Sequence, residues 1–198
     1  MDKKAFFRLM GQYPVAAASK SVEDQNIALD SHVALIFLLK GDAFQLSEFI
    51  ARAHQKKKGI GVHIDLISGI GKDRAGIQYL RQQGVDAIIT SRSHLIAAGK
   101  AEGLITIQRL LLLERSAMEA GIKTIGRSQP DIVEVLPGVI FPDMVGQLRQ
   151  HLSLPLITGG FIRTFADVKR VRAAGALLCS STSRELWSEH NGNFESMK

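Results

Sequence analysis

Along this chain, short apolar runs alternate with stretches in which apolar residues recur every three or four positions. The first pattern is that of a strand covered on both faces, the second that of a helix with one buried face. The apolar runs predict strands over residues 15–19, 32–39, 61–66, 87–91, 104–110, 131–136, 154–158 and 176–181. The stretches between them predict helices over residues 22–28, 43–57, 73–83, 93–102, 116–127, 141–152, 164–174 and 184–190, after a helical lead-in over residues 1–13.

Local chemistry fits this alternation. The second helix is expected to bury Phe44, Leu46, Phe49, Ile50 and Ala53, and to end at Lys56-Lys57-Lys58-Gly59, where cations and a glycine suit a helix C-terminus. Gly84, Gly103, Gly121 and Gly175 are expected to close the third, fourth, fifth and seventh helices. Thr164 with Asp167 three residues on makes a capping-box start for the seventh. Eight strand–helix units close naturally into a compact, single-domain (β/α)8 TIM-type barrel over residues 1–198. The competing fold, an open doubly wound sheet, usually has five or six strands, and no Gly-x-Gly-x-x-Gly follows the first strand here.

Composition changes this picture little. Hydrophobic content of 45% and charged content of 22% are ordinary for a globular domain. The longest apolar run, Val33 to Leu39, is too short to span a bilayer, and the charged N-terminus lacks the apolar stretch of a signal peptide. The lone Cys179 lies in a strand-like run and reads as a buried thiol. A cytoplasmic protein with no membrane contact is expected. The formal charge of +6 favours phosphorylated or polyanionic partners without specifying one.

Barrel chemistry sits at the C-terminal ends of strands. The seventh strand ends in Gly159-Gly160 and the eighth in Ser181-Thr182-Ser183. Together they read as a phosphate cradle of close-approach glycines and helix N-terminal amides. Each alone also reads as a tight turn or a helix cap. Asp65 and Glu134 are acids inside apolar strands, and Lys40 and Arg109 bring positive charge to the same rim. They form either a pocket for ligand hydroxyls or an internal salt-bridge layer, such as Glu134 with Arg109. His63, two residues deeper than Asp65, reads as a hydrogen-bonded core histidine. No spacing suggests a metal site or a catalytic nucleophile, and no catalytic residue or cofactor is assigned.

Several segments resemble the glycerol uptake operon antiterminator regulatory proteins (GlpP family). They are Leu38-Leu-Lys-Gly-Asp42, Val62-His-Ile-Asp-Leu-Ile67, Thr106-Ile-Gln-Arg109, Glu134-Val-Leu-Pro-Gly138, Thr158-Gly-Gly-Phe-Ile-Arg163 and Ser181-Thr-Ser183 with Glu185-Leu-Trp187. The resemblance runs in order over nearly the whole chain. It implies a compact TIM-type barrel that is a regulator, not an enzyme. Such a protein senses glycerol 3-phosphate and acts on leader mRNA of glycerol-utilisation genes to prevent premature termination. In this chain Gly159, Gly160, Ser181, Thr182 and Ser183 would hold the phosphate, while Asp65, Glu134, Lys40 and Arg109 would orient the glycerol hydroxyls. One departure is Arg184, where the family pattern has Asn. Residues 67–72 and 137–142 are the candidate switch loops. The RNA surface is weakly specified, with Arg163, Lys169, Arg170 and Arg172, or Lys56 to Lys58, as candidate phosphate contacts. Two other readings stay open: a small phosphate-ester isomerase, lyase or synthase with Asp65 or Glu134 as base, and a regulator that works through a protein partner. Homo-oligomerisation is open as well.

Overall fold

A computed structural model of the protein describes residues 1–188. Its strands, in chain order, are β1 (Val15–Ser19), β2 (Leu35–Leu38), β3 (Gly41–Asp42), β4 (Gly59–His63), β5 (Ile67–Ser68), β6 (Ala87–Thr90), β7 (Ile105–Leu111), β8 (Ile132–Leu136), β9 (Leu156–Gly159) and β10 (Cys179–Ser181). Eight of them form a closed parallel barrel in the order β1-β10-β9-β8-β7-β6-β4-β2, and β3 pairs with β5 beyond the barrel's C-terminal end. The helices are α1 (Lys3–Gln12), α2 (Val22–Asp30), α3 (Leu46–Gln55), α4 (Arg74–Gln82), α5 (Ser93–Ala101), α6 (Arg115–Ser128), α7 (Phe141–Arg149), α8 (Phe165–Ala173) and α9 (Glu185–Ser188). The expected (β/α)8 architecture is therefore present. The expected last helix over residues 184–190 is described only as far as Ser188; its remainder and His190 lie outside the described residues.

Side chains alternate in and out along each strand. Outward residues such as Val15, Ala17, Ile36, Leu38, Val62, Val133 and Val135 pack against the helices in one large core. Inward residues including Ala16, Leu35, Phe37, Ala87, Ile89, Ile105, Ile107, Ile132, Ile157 and Leu178 form a second core inside the barrel. Helix α1 closes the N-terminal end of that inner core with Phe6 and Met10, both buried. Burying a side chain such as Phe6 contributes about 1.5–3 kcal/mol, enough to keep a ten-residue helix docked that would be marginal alone.

Four local expectations are corrected. The third barrel strand starts two residues earlier and ends at His63, so Asp65 sits in a 3-10 turn (Ile64–Leu66) and not on the strand. Phe44, expected in the core, is 90% exposed. It belongs to a 3-10 turn (Ala43–Gln45) whose N-cap Asp42 accepts the Phe44 N–H, and the buried face of α3 begins only at Leu46. Gly59 does not close α3 but opens β4, paired with Leu35 on β2, where an added Cβ would lie 2.7 Å from Leu35 Cδ2. The neighbouring Lys58 is buried, its ammonium donating to the carbonyls of Ser31 and Val33. Gly121 does not close a helix; it lies within α6, where a Cβ would meet Leu110 Cδ1 at 2.4 Å, so close helix–sheet packing demands it. The Thr164–Asp167 capping box forms in full.

Candidate functional site

Near the C-terminal end of the barrel the inward residues change from apolar to polar. Continuing each strand's alternation upward gives Lys20 after Ala16 and Ala18, His63 after Gly61, Arg109 after Ile107, Glu134 after Ile132, and Ser180 after Leu178. These residues surround a cavity of ≈ 360 Å³ at the barrel mouth, within the range of small-molecule sites. Its rim adds Leu39, Leu66, Gly160, Phe161, Arg163 and Thr182.

The floor is a connected polar layer. Arg109 and Glu134 face each other in register on β7 and β8, with Arg109 Nε 3.5 Å from Glu134 Oε2. Glu134 Oε1 accepts a hydrogen bond from Ser180 Oγ at 3.0 Å. Arg109 also donates to His63 Nε2 at 2.6 Å. A guanidinium can only donate, so Nε2 accepts and the proton of the neutral ring sits on Nδ1. Burial, with Arg109 beside it, lowers the imidazole to about 4. His63 Nδ1 and Arg109 Nε are buried and have no hydrogen-bond partner among the described residues. Burial pushes the Glu134 carboxyl up, opposed by Arg109 and by the Ser180 hydrogen bond. The salt-bridge layer and the pocket, alternatives in the sequence, are thus one arrangement: the ion pair is the pocket's floor.

Other expected residues lie elsewhere. Lys40 is exposed and is not in the cavity lining; Leu39 takes the inward position at the end of β2, which turns the next residue outward. Asp65 is bound by Arg92 at 2.8 Å and by the Thr90 hydroxyl at 2.8 Å, with His63 Nδ1 4.0 Å away. It anchors the turn after β4, which Lys72 ties further by donating to the carbonyls of Ile64 and Ile67. His63, expected as a core residue, is buried and also lines the cavity.

The glycine and serine turns meet, with Gly160, Phe161, Ser181 and Thr182 in the lining and Gly159 and Ser183 behind it. A Cβ on Gly159 would sit 2.1 Å from Ser180 Oγ, so this glycine makes room for the Ser180–Glu134 contact. Ser181 Oγ joins the two turns, donating to Ile162 O at 2.6 Å and accepting from the Ser183 N–H at 3.0 Å. Ahead of α8, the N–H groups of Arg163 and Thr164 are taken by Asp167, so these two amides are not open to a ligand. Arg184 turns away to Glu23 and Asp24, at 2.7 Å from each. The positive charge at the rim comes from Lys20 and Arg163. Lys20, missed from sequence, continues the alternation of β1 one step past its last residue.

A family model of the glycerol-3-phosphate responsive antiterminators matches residues 15–187. The chain belongs to that family. A glycerol uptake operon antiterminator regulatory protein from Listeria monocytogenes is 31% identical, with a TM-score of 0.83 over 89% of this chain and 95% of its own. A glycerol uptake operon antiterminator-related protein from Thermotoga maritima is 25% identical, with a TM-score of 0.78 over 88% of this chain and 98% of its own. The uncharacterized Escherichia coli K12 protein YgcP is 29% identical over 181 residues, which is 91% of this chain and 94% of YgcP. Deoxyribose phosphate aldolase from Aeropyrum pernix, at 14% identity and a TM-score of 0.72, shares the fold alone.

In this antiterminator family member, the sequence segments carrying the resemblance supply much of the cavity. Glu134 and Leu136 come from the Glu-Val-Leu-Pro-Gly segment, Gly160 to Arg163 from the Gly-Gly-Phe-Ile-Arg segment, and Ser181 and Thr182 from the Ser-Thr-Ser turn. No helix among the described residues is long and apolar enough to cross a membrane, and no cluster of potential metal ligands occurs among them.

Proposed function

We propose that the mouth cavity binds glycerol 3-phosphate and that the loaded barrel regulates glycerol-uptake genes by acting on their leader mRNA. The observation that carries this reading is the pairing, in one small cavity, of a cationic glycine-containing rim with a carboxylate–guanidinium–imidazole floor. Lys20, Arg163 and the Thr182 hydroxyl offer charge and a donor to a phosphate at the mouth. Glu134 and Ser180 offer an acceptor and a hydroxyl to the glycerol end, and the buried donors of His63 and Arg109 point to an oxygen-rich ligand.

Calorimetry with glycerol 3-phosphate, glycerol and sulfate tests the assignment. Glycerol 3-phosphate binds more tightly than either fragment if both halves of the cavity are used. Glu134→Gln weakens it about 10- to 100-fold, the scale of a hydrogen bond to a charged group, while sulfate binding is unchanged. Equal affinity for glycerol 3-phosphate and sulfate sinks the sensor reading. One observation favours a second reading: a buried Glu134 whose carboxyl is pushed up is suited to proton abstraction. Turnover of a phosphorylated three-carbon or sugar substrate that disappears in Glu134→Gln would replace the sensor by an enzyme.

A further inference from the structure

The cationic clusters most visible in the sequence are largely engaged within the protein. On α8, Arg170 pairs with Asp143 at 3.0 Å, and Arg172 donates to the carbonyls of Ala176 and Leu177. After α3, Lys56 pairs with Asp30 at 2.7 Å and Lys58 is buried against carbonyl oxygens. What remains on those faces is Lys57 and Lys169.

The barrel's C-terminal face is different. Among the described residues seven large hydrophobic side chains are exposed, and six of them, Val22, Phe44, Leu66, Leu111, Leu113 and Phe161, end or follow barrel strands at that face. Only Leu177 lies at the opposite end. The strand order β9-β10-β1-β2 makes the loops after these four strands neighbours around the mouth. That arc carries Phe161 and Arg163, then Thr182, then Lys20, then Lys40 and Phe44. Phe44 is 90% exposed and Phe161 66% exposed. The side chains of Lys20, Lys40 and Arg163 have no ion-pair partner among the described residues. Of the acids nearby, Glu23 and Asp24 are paired with Arg184, while Asp42 caps the 3-10 turn by accepting the Phe44 N–H and keeps its charge. By contrast, the rim after β7 carries exposed Leu113 beside Glu114, without a cation left unpaired: Arg115 pairs with Glu119.

We infer that the arc over β9, β10, β1 and β2 is the surface that takes a single-stranded RNA segment. This rests on the reading of the protein as an RNA-acting regulator given above. Phe44 and Phe161 are stacking platforms for bases, and Lys40, Lys20 and Arg163 contact the phosphates between them. Alternation of exposed aromatics with unpaired cations complements a polyanion whose bases are accessible, which neither a duplex nor an apolar protein face matches. Phe161, Arg163, Thr182 and Lys20 belong to both surfaces, since they line the cavity and lie on the arc, and Lys40 and Phe44 are the arc residues outside the cavity. Phe161 is held at φ 60°, a backbone conformation uncommon for a bulky residue, next to Gly160 at φ 81°. A ligand seated under this loop alters the presentation of the platform and of the cations beside it, so the two occupants are coupled through these shared side chains.

Phe44 and Lys40 lie outside the cavity lining and give the clean test. Fluorescence anisotropy is measured with a labelled glycerol-operon leader RNA and saturating glycerol 3-phosphate, and calorimetry on the same variants reads ligand binding. Phe44→Ala is expected to weaken RNA binding about 5- to 150-fold, the range for loss of one base–aromatic stack. Lys40→Ala is expected to lower the slope of log affinity against log salt by about 0.7. Both variants keep wild-type affinity for glycerol 3-phosphate. Unchanged RNA affinity in both, with a loss in Lys57→Ala or Lys169→Ala, places the RNA on the helix side and overturns the inference alone. Wild-type protein that binds glycerol 3-phosphate but retains no RNA overturns the inference together with the RNA half of the proposed function. Wild-type protein that binds neither overturns the whole reading.

Discussion

The two ends of this barrel are built on opposite principles. At the N-terminal end, α1 covers the inner core and the carboxylates are tied down. Asp86 accepts from His54 Nε2 and from the Ile60 N–H, both at 2.9 Å. Asp131 accepts from Lys3 at 2.5 Å and from the Thr106 N–H at 2.9 Å. At the C-terminal end the inner core stops short, polar groups replace it, and exposed aromatic side chains and cations stand around the opening without an ion-pair partner among the described residues. The contrast separates stability from binding on a single set of strands: each inward-facing row is packed below and chemically equipped above.

The largest effect that sharpens the contrast is expected at the closed end. Phe6→Ala removes a fully buried ring from the plug and is expected to cost about 3–5 kcal/mol of folding stability in urea titration. Affinity for glycerol 3-phosphate stays near wild type, because Phe6 packs at the far end of the inner core. A comparable loss of ligand affinity at temperatures where the variant is folded would break the proposed division of labour.

An intermediate effect comes from the floor of the open end. The imidazole of His63 is lowered from its ordinary 6.5 to about 4. Between those values the unfolded chain binds a proton that the folded protein refuses, so stability falls as pH drops from about 6.5 to 4. The full span is worth about 3 kcal/mol, and above pH 7 this group adds no slope. Glu134, pushed up by burial, acts in the opposite sense: above its ordinary 4.5 the folded protein keeps a proton that the unfolded chain loses. The difference between wild type and His63→Gln, measured in urea from pH 7 to 4, therefore isolates the histidine. Parallel curves for the two proteins would show that His63 is not held neutral by the floor.

The smallest effect is predicted at Arg184. It sits one residue past the serine turn but points to Glu23 and Asp24 on the surface. Arg184→Ala is expected to leave both melting temperature and glycerol 3-phosphate affinity indistinguishable from wild type. A marked loss in calorimetry would put its guanidinium on the phosphate and redraw the cavity's edge.

Much of this was readable from residue order, and the exceptions share a cause. Period-two alternation finds Arg109 and Glu134 because each is followed or preceded on its strand by residues of clear inward or outward character, whereas Ser180, the inward residue of β10 that bonds Glu134, is passed over for the serines that follow it. At strand ends the rule needs a register that apolar runs do not give. Lys40 and Lys20 show this well. Each comes just after a strand, and one step decides that Lys20 lines the mouth while Lys40 faces outward. Asp65 escaped the alternation because the chain leaves β4 at His63 and winds into a 3-10 turn. Helical spacing places Phe44 in the core, yet α3 starts two residues later, at Leu46. Gly121 looked like a stop signal, whereas its role is the approach of α6 to Leu110, a three-dimensional demand with no local signature.

The plug at the bottom has a kinetic consequence. With α1 seated on the inner core, the mouth cavity opens at one end, so an effector bound there would enter and leave across the rim proposed to carry RNA. RNA lying over that rim would obstruct the exit path, and the effector would leave more slowly from the ternary complex than from the protein alone. Binding would then be ordered, effector first and RNA second, with the transcript acting as the stopper of the vessel that recruited it.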